Sequence, residues 1–444
     1  MKPLRIFLLT LRRSSVLALA LLAFFSGRIH AQSDQPLVIV LNADGVIMPA
    51  MEEYILRGLR TAEQRGADLV ILQLDTPGGD GESMLDIMQA IRNSHVPVVV
   101  FVAPSGAQAA SAGAMITMSA HASAMSLETV IGAASPVSST GENLDSTLEA
   151  KVKNDMKAKI RPMVSPRGEE ALTLAESMID EAVAVTSEEA LDAGLIDFIA
   201  SDRDELLEKL DGFTVQMADG PRTLETTDAK TETVTMNFVE ELLMILTNSI
   251  IVLTLLGVGV QAILIEISSP GGWVAGFIGV VCLALAGYGL GILPVNWFGL
   301  IFLVTAFVLF ILDVKAPTHG ALTAAGIAAF IVGALVLFNS PGTPDFARVS
   351  IPGVILLAVI LGGTFAVIVG FGVRALRTPI RAGVESLTGK TGTVRAWDEA
   401  GGQVQLGSEL WSAESAEGSA KIRKGDMVEV VEVKGLRLKV RKKG

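Results

Sequence analysis

The chain has 444 residues, half of them hydrophobic and 18% charged, with one cysteine and four histidines. That length exceeds one ordinary domain, and the composition excludes intrinsic disorder and argues against a wholly soluble protein. One cysteine excludes a disulfide framework and a cysteine-built zinc site, and His30, His95, His121 and His319 are too scattered to form a metal-ligand cluster. The net charge of -12 is unevenly spread: +5 over residues 1–31, -19 over 32–235, -3 over 236–373 and +5 over 374–444. Blocks that differ so much in charge read as regions in different surroundings.

Residues 1–31 place Lys2, Arg5, Arg12 and Arg13 before an apolar run at 16–25, with small and polar residues up to Ala31. That order predicts a secretory signal peptide; an uncleaved anchor is the alternative. Residues 36–212 alternate short apolar runs with helical patterns. Strands are predicted at 37–41, 69–74, 98–102 and 195–199. Helices are predicted at 49–65, 82–93, 108–119, 144–164 and 188–193, the last opened by a Thr186-Ser-Glu-Glu189 capping box. This alternation predicts an α/β domain with a mostly parallel sheet. Residues 213–240 are polar, threonine-rich and poorly periodic, and read as a linker or a small extended piece.

Residues 241–373 hold five apolar stretches, at 250–268, 273–293, 297–314, 320–338 and 351–373, each about long enough to cross a bilayer. Trp273, Trp297 and Phe338 stand at their ends, where aromatics favour the interface. Arg374, Arg377 and Arg381 follow the fifth stretch and Lys315 the third. Five crossings with an outside start put both clusters in the cytoplasm, with Arg348 the one dissenting charge. In residues 385–444, five short strands separated by glycine or polar turns predict a small OB-like β-barrel. Trp397 and Trp411 are its only aromatics, too few for the stacking platforms of a nucleic-acid binder, so no nucleic-acid partner is expected. Its basic end suits a face near anionic lipid.

Chemistry could sit at two glycine-rich stretches that follow strands. Asp75-Thr-Pro-Gly-Gly79 lets exposed backbone N–H groups approach a ligand, although taken alone it reads as a tight turn. Gly106-Ala-Gln-Ala-Ala-Ser-Ala-Gly113 sets Ser111 among small residues near a helix N-terminus, where N–H groups can stabilise an oxyanion; a serine in such a helix is otherwise simple packing. A nucleophilic serine needs a base. His121 lies ten residues on, at the far end of the predicted helix, and His95 precedes a strand on the wrong side of the turn. The remaining candidates are Lys151, Lys153, Lys157 and Lys159 on the long helix, as in a Ser-Lys pair.

At this point a resemblance enters. LDTPGG at 74–79, AASAGA at 109–114, IGAASPV at 131–137, KVKND at 151–155 and TSEEALDAGLID at 186–197 resemble the long form of the NfeD family, a membrane-bound serine protease with a Clp-protease-like domain. The SSPGG and LPVNWFG turns and the segments TGKTGTVRAW and LGSELWSA match as well, so the resemblance covers nearly the whole chain after residue 31. It implies a multidomain protein: an α/β Clp/crotonase-like domain at 36–212, a linker at 213–240, all-α transmembrane helices at 241–373 and an OB-like barrel at 385–444. It further implies an endopeptidase that needs no cofactor or metal. Ser111 is its nucleophile and Lys151 its base, with Lys153 the rival because the register of the loop at 138–150 is loose. Gly79 and Ala112 supply the oxyanion-hole N–H groups, and Gly78 and Asn154 meet substrate. Pro136 fills the position where relatives with a Ser-His-Asp triad carry histidine. The implied partners are the lipid bilayer, a peptide substrate, a stomatin-like membrane protein and further copies of the chain; the protease domain would lie outside the cytoplasm and the barrel inside. A non-enzymatic scaffold for a stomatin-like protein is the competing reading. An acyl-CoA enzyme on the related crotonase fold is set aside: an extracytoplasmic domain meets no coenzyme A, and no adenine-phosphate cradle is present.

Overall fold

The computed structural model describes residues 35–136, 145–268, 273–315, 318, 320–341, 343–377, 387–416 and 418–443. The signal-like stretch with His30, the loop at 137–144, the turn at 269–272, His319 and Arg381 lie outside the described residues. Two compact units divide the chain, one up to residue 363 and one from 364 onward.

The first unit opens with β1 (Leu37–Asp44), α1 (Pro49–Arg65), β2 (Leu69–Asp75), α2 (Gly81–Asn93) and β3 (Val98–Val102). Next come β4 (Gln108–Ala109), α3 (Ala112–Ser119), β5 (Ala122–Met125) and β6 (Val130–Gly132), then α4 (Ser146–Val164), α5 (Glu169–Asp180), β7 (Ala184–Thr186) and α6 (Ser187–Asp192). The domain closes with β8 (Phe198–Ile199), α7 (Arg203–Leu210), β9 (Thr214–Met217), β10 (Gly220–Thr223), β11 (Lys230–Val234) and α8 (Phe238–Ile245). Strand order in the main sheet is β11-β1-β2-β3-β5-β8, and every pairing is parallel.

A parallel sheet is covered on both faces, so its strands are apolar throughout. Val38, Val40, Leu69, Ile71, Val99 and Phe101 face a cluster completed by Leu206, Leu210 and Val215. Their neighbours Ile39, Leu41, Val70, Leu72, Val98 and Val100 face the larger core, with Met51 and Ile55 of α1, Ile87 and Ile91 of α2, and Met115 and Ile116 of α3. The strand period of two thus splits one apolar run between two cores. A second sheet, β4-β6-β7, stands beside the first.

Residues 213–240 differ from a linker. They form the β9–β10 hairpin, and β11 pairs with β1 from Leu37↔Lys230 to Leu41↔Val234. The segment Lys-Thr-Glu-Thr-Val carries no apolar alternation because it is an edge strand held mainly by backbone pairing. Residues 108–119 also differ from one helix: β4 takes the first two, and the helix begins at Ala112.

Five apolar helices follow: α9 (Ser249–Ser268), α10 (Val274–Ile292), α11 (Phe298–Lys315), α12 (Ala321–Phe338) and α13 (Ile351–Arg377). Four meet the length and hydropathy needed to cross a membrane, while the third is apolar over Phe298–Asp313 and falls short of that length. Glycines set their pairing. A Cβ at Gly299 would lie 2.4 Å from Leu337 N, and one at Gly326 would lie 2.5 Å from the Phe310 ring. In the second unit β12 (Thr391–Asp398), β13 (Gly401–Leu406), β14 (Glu409–Ser415), β15 (Met427–Lys434) and β16 (Arg437–Lys442) close a barrel in the order β12-β13-β14-β16-β15. Val394, Val404, Val428, Val430, Leu438 and Val440 fill it.

Candidate active site

The C-terminal ends of β1, β2 and β3 deliver three loops to one place, as ligand sites in parallel sheets require. The loop after β2 is woven in on both sides. Ile47 N–H donates to Gly78 O (2.9 Å) and Asp80 N–H donates to Ile47 O (2.7 Å). On the other side Thr76 N–H donates to Gln108 O (2.7 Å) and Ala110 N–H to Thr76 O (3.0 Å). Asp80 then caps α2, accepting from Ser83 N–H at 2.9 Å.

Ser111 sits at the N-cap of α3 with φ 51° and ψ -113°, a left-side conformation that a non-glycine residue rarely adopts. Its N–H donates to Ala133 O at 2.7 Å, which ties the turn to the segment 131–136. The side chain is half-buried and rests on Gly78: a Cβ there would lie 2.6 Å from Ser111 Cβ and 3.2 Å from its Oγ. Gly78 has φ +110°, so clearance and conformation both demand glycine. Gly79 is tighter still, since a Cβ would meet Ile47 O at 1.9 Å.

Two N–H groups flank Ser111. Ile47 pairs with Gly78 O and Asp80 N on either side of Gly79, and the Gly79 N–H has no partner among the described residues. Ala112 is the first residue of α3, where a helix N–H has no carbonyl partner within the helix. Both can therefore receive an oxyanion, and the helix dipole adds to the effect. Gly78 is different: its N–H is held by Thr76 Oγ1 at 3.0 Å and its carbonyl accepts from Ile47, so its part here is clearance for Ser111. Thr76, fully buried, was not singled out from sequence. It locks the turn through its hydroxyl and lays its methyl against Gly113, where a Cβ would lie 2.5 Å away. A threonine one residue ahead of Pro-Gly-Gly is the local signal for such a turn.

Ser111, Gly78, Gly79 and Ala112 come together, whereas Lys151 and Asn154 do not join them by any hydrogen bond. Both are exposed on α4, which packs against α3. Among the described residues Lys151 has no acidic partner. Its three neighbours on the helix do: Lys153 with Glu149 at 2.7 Å and the Asp180 carbonyl at 3.0 Å, Lys157 with Asp180 at 2.6 Å, and Lys159 with Asp155.

His121 is placed elsewhere. It precedes β5 at the Val98 end of β3, whereas the Ser111 loop follows Val102, about 13 Å along the strand. Val98 N–H donates to His121 Nδ1 at 3.1 Å, which leaves the ring proton on Nε2, a buried atom without a hydrogen-bond partner. Burial first, then the Arg92 guanidinium, pushes His121 down from 6.5 to about 4. His95 is exposed beside Glu63. Among the described residues no cluster of His, Cys, Asp or Glu could hold a metal.

Comparison with known proteins accords with this architecture. Residues 37–219 match the NfeD1b N-terminal domain, 250–371 the NfeD integral membrane domain and 384–442 the NfeD-like C-terminal, partner-binding domain. The membrane-bound protease PH1510 of Pyrococcus horikoshii is 33% identical over 96% of this chain and 97% of that protein. Among solved structures, a variant of the 1510-N membrane-bound stomatin-specific protease in complex with a substrate peptide is 32% identical. It covers 48% of this chain and 98% of that one, with a TM-score of 0.44. ClpP1 of Listeria monocytogenes is 19% identical over 38% of this chain and 94% of that one, with a TM-score of 0.32. The match to PH1510 runs through all three regions, and the chain belongs to the NfeD family.

Proposed function

We propose that this chain is a membrane-anchored serine endopeptidase that works through a Ser-Lys dyad. The observation that carries the reading is the strained Ser111 resting on Gly78, beside the N–H groups of Gly79 and Ala112, which have no partner among the described residues. A peptide carbonyl set against those donors presents its carbon to Ser111 Oγ. As Oγ attacks, its proton passes to a neutral amine, and the charge that develops on the carbonyl oxygen falls to the two N–H groups. The amine then returns the proton to the leaving nitrogen, and water hydrolyses the acyl-enzyme by the reverse sequence. Lys151 is the base. Carboxylates occupy the other three lysines of α4, and Lys151 is the one without such a partner among the described residues. Catalysis requires the second turn of α4 to bring Lys151 Nζ within hydrogen-bond reach of Ser111, with Asn154, one turn on, against the substrate.

The relatives named as stomatin-specific support a membrane protein of the stomatin type as substrate and partner, cleaved in an apolar segment. Self-association through the first domain, with the edge strand β7 as one candidate surface, belongs to the same reading. The competing scaffold reading draws on the partner-binding match of the barrel, whose Leu410, Met427 and Leu436 are exposed. One experiment separates the two. The detergent-solubilised chain is treated with a serine-reactive phosphonate, alone and as Ser111→Ala, Lys151→Ala and Lys153→Ala. Labelling lost in Ser111→Ala and Lys151→Ala but kept in Lys153→Ala supports the dyad. Equal labelling of wild type and Ser111→Ala leaves the scaffold.

A further inference from the structure

Helix α8 joins the first domain to the first spanning helix. It is short, eight residues, and well started: Asn237 Oδ1 accepts from the N–H groups of Val239 and Glu240, and the Glu240 carboxylate accepts from Asn237 N–H. One face is clamped to the domain. Arg57 of α1 holds Glu240 with two hydrogen bonds of 2.7 Å and adds a third to Thr235 O. Glu240 is only 3% exposed, and Met244 presses on Gly45, where a Cβ would lie 2.7 Å from its Cε.

The opposite face is uncovered among the described residues and is apolar, with exposed Glu241 at its border. Phe238 is 77% exposed, Val239 59% and Ile245 50%, with Leu242 half-buried between them. Positions 238, 242 and 245 make one stripe at helical spacing. The C-terminal end of α8 is fixed to the spanning bundle. Leu246 is buried, and its carbonyl would lie 3.1 Å from a Cβ at Gly289 of α10. Asn248 caps α9 through Ile250 N–H, and Ser249 Oγ donates to Ala347 O at 2.6 Å. Ile245 thus lies four residues before the start of a helix able to cross a membrane, which limits their separation to about 14 Å.

We infer that α8 lies in the membrane interface, with Phe238, Val239, Leu242 and Ile245 against lipid, and acts as a strut that fixes the height of the Ser111 loop above the bilayer. Three observations favour lipid as the occupant: the stripe is continuous with the apolar spanning segment, both ends of the helix are held, and Arg57 turns the Glu240 charge inward, which leaves Glu241 at the border of the stripe as the one carboxylate near it on this helix. Interfacial helices bury such a face at the boundary of headgroups and acyl chains. The strut also reaches the site, because Gly45, under Met244, donates its N–H to Asp75 O at the root of the Thr76–Gly79 turn. The inference rests on the membrane location of the chain and is independent of the dyad.

The test uses the full-length chain in phosphatidylcholine vesicles that carry a nitroxide at acyl carbon 5. Bimane is placed on single cysteines made by Phe238→Cys, Ile245→Cys and, as a control on the exposed side of α7, Glu208→Cys. The unsubstituted chain, with Cys282 alone, supplies the background. Quenching several-fold stronger at 238 and 245 than at 208 is expected. Quenching at 238 and 245 no stronger than at 208 overturns the proposal, and disulfide cross-linking between copies at 238 in that case assigns the stripe to a second chain.

Discussion

At the scale of single residues the site is a set of clearances. Gly79 leaves no room for a methyl group, because Ile47 O would lie 1.9 Å from it, and Gly78 leaves none because Ser111 rests there. Gly79→Ala should move the N–H that faces the oxyanion. Loss of one such donor costs roughly 100-fold in turnover, and the overpacking about 1–3 kcal/mol in stability. Initial rates on a fluorogenic peptide and a thermal midpoint measure the two losses separately. His121 obeys a different rule. Its folded value of about 4 lies below the 6.5 of the free side chain, so neutral His121 is fully compatible with the fold above pH 6.5. Stability is then lost as pH falls from 6.5 towards 4, by about 3 kcal/mol in all. His121→Asn keeps an acceptor for Val98 N–H without the titration. Pulse proteolysis of the first domain in urea at pH 7 and pH 4.5 should show a smaller loss in that variant than in wild type. An equal loss assigns the pH dependence to the carboxylates.

At the scale of elements, legibility followed burial. The strands at 37–41, 69–74 and 98–102 were plain because a parallel sheet leaves its strands no wet side. The Thr186–Glu189 capping box was plain because both of its reciprocal bonds are local. Short strands towards the two ends of the sheet were not: β5 is Ala-Ser-Ala-Met and draws its place from pairing with β3, and β11 from pairing with β1. In the candidate site the small-residue setting of Ser111 was legible, whereas Thr76 and Ile47 act by hydrogen bonds that no periodicity encodes. Spanning helices depend on close approach, which sequence marks only as glycine. Gly299 and Gly326 sit under neighbouring chain, while Gly287 has no atom within 4 Å of a built Cβ. Gly299→Val should therefore lower the thermal midpoint of the solubilised chain, through a cost of about 1–3 kcal/mol. Gly287→Val should leave it unchanged, and equal effects would show that the glycines do not set the pairing.

At the scale of the whole molecule the question is how many times the chain crosses. Helix α11 is the short one, and if it did not cross, four crossings would put the first domain and the barrel on the same side. Its packing argues that it does cross. Gly299 near its start lies against Leu337 at the end of α12, and Phe310 near its end lies against Gly326 near the start of α12. The two run antiparallel over about 16 Å, with Phe307 edge-on to Phe330 between those points. Over that stretch α11 runs beside α12 at the same depth. We therefore propose five crossings, with Lys315 and the Arg374 and Arg377 pair separated by two of them and so on the same side, as the positive-inside rule requires. On that proposal the first domain faces away from the cytoplasm and the barrel into it. Asp228 and Glu399 are exposed, one in each soluble region. Single cysteines made by Asp228→Cys and Glu399→Cys in a Cys282→Ser background should react differently with a membrane-impermeant maleimide on intact cells. The first should label before lysis and the second only after it. Labelling of both before lysis, or of neither, would require an even number of crossings and would return α11 to the surface.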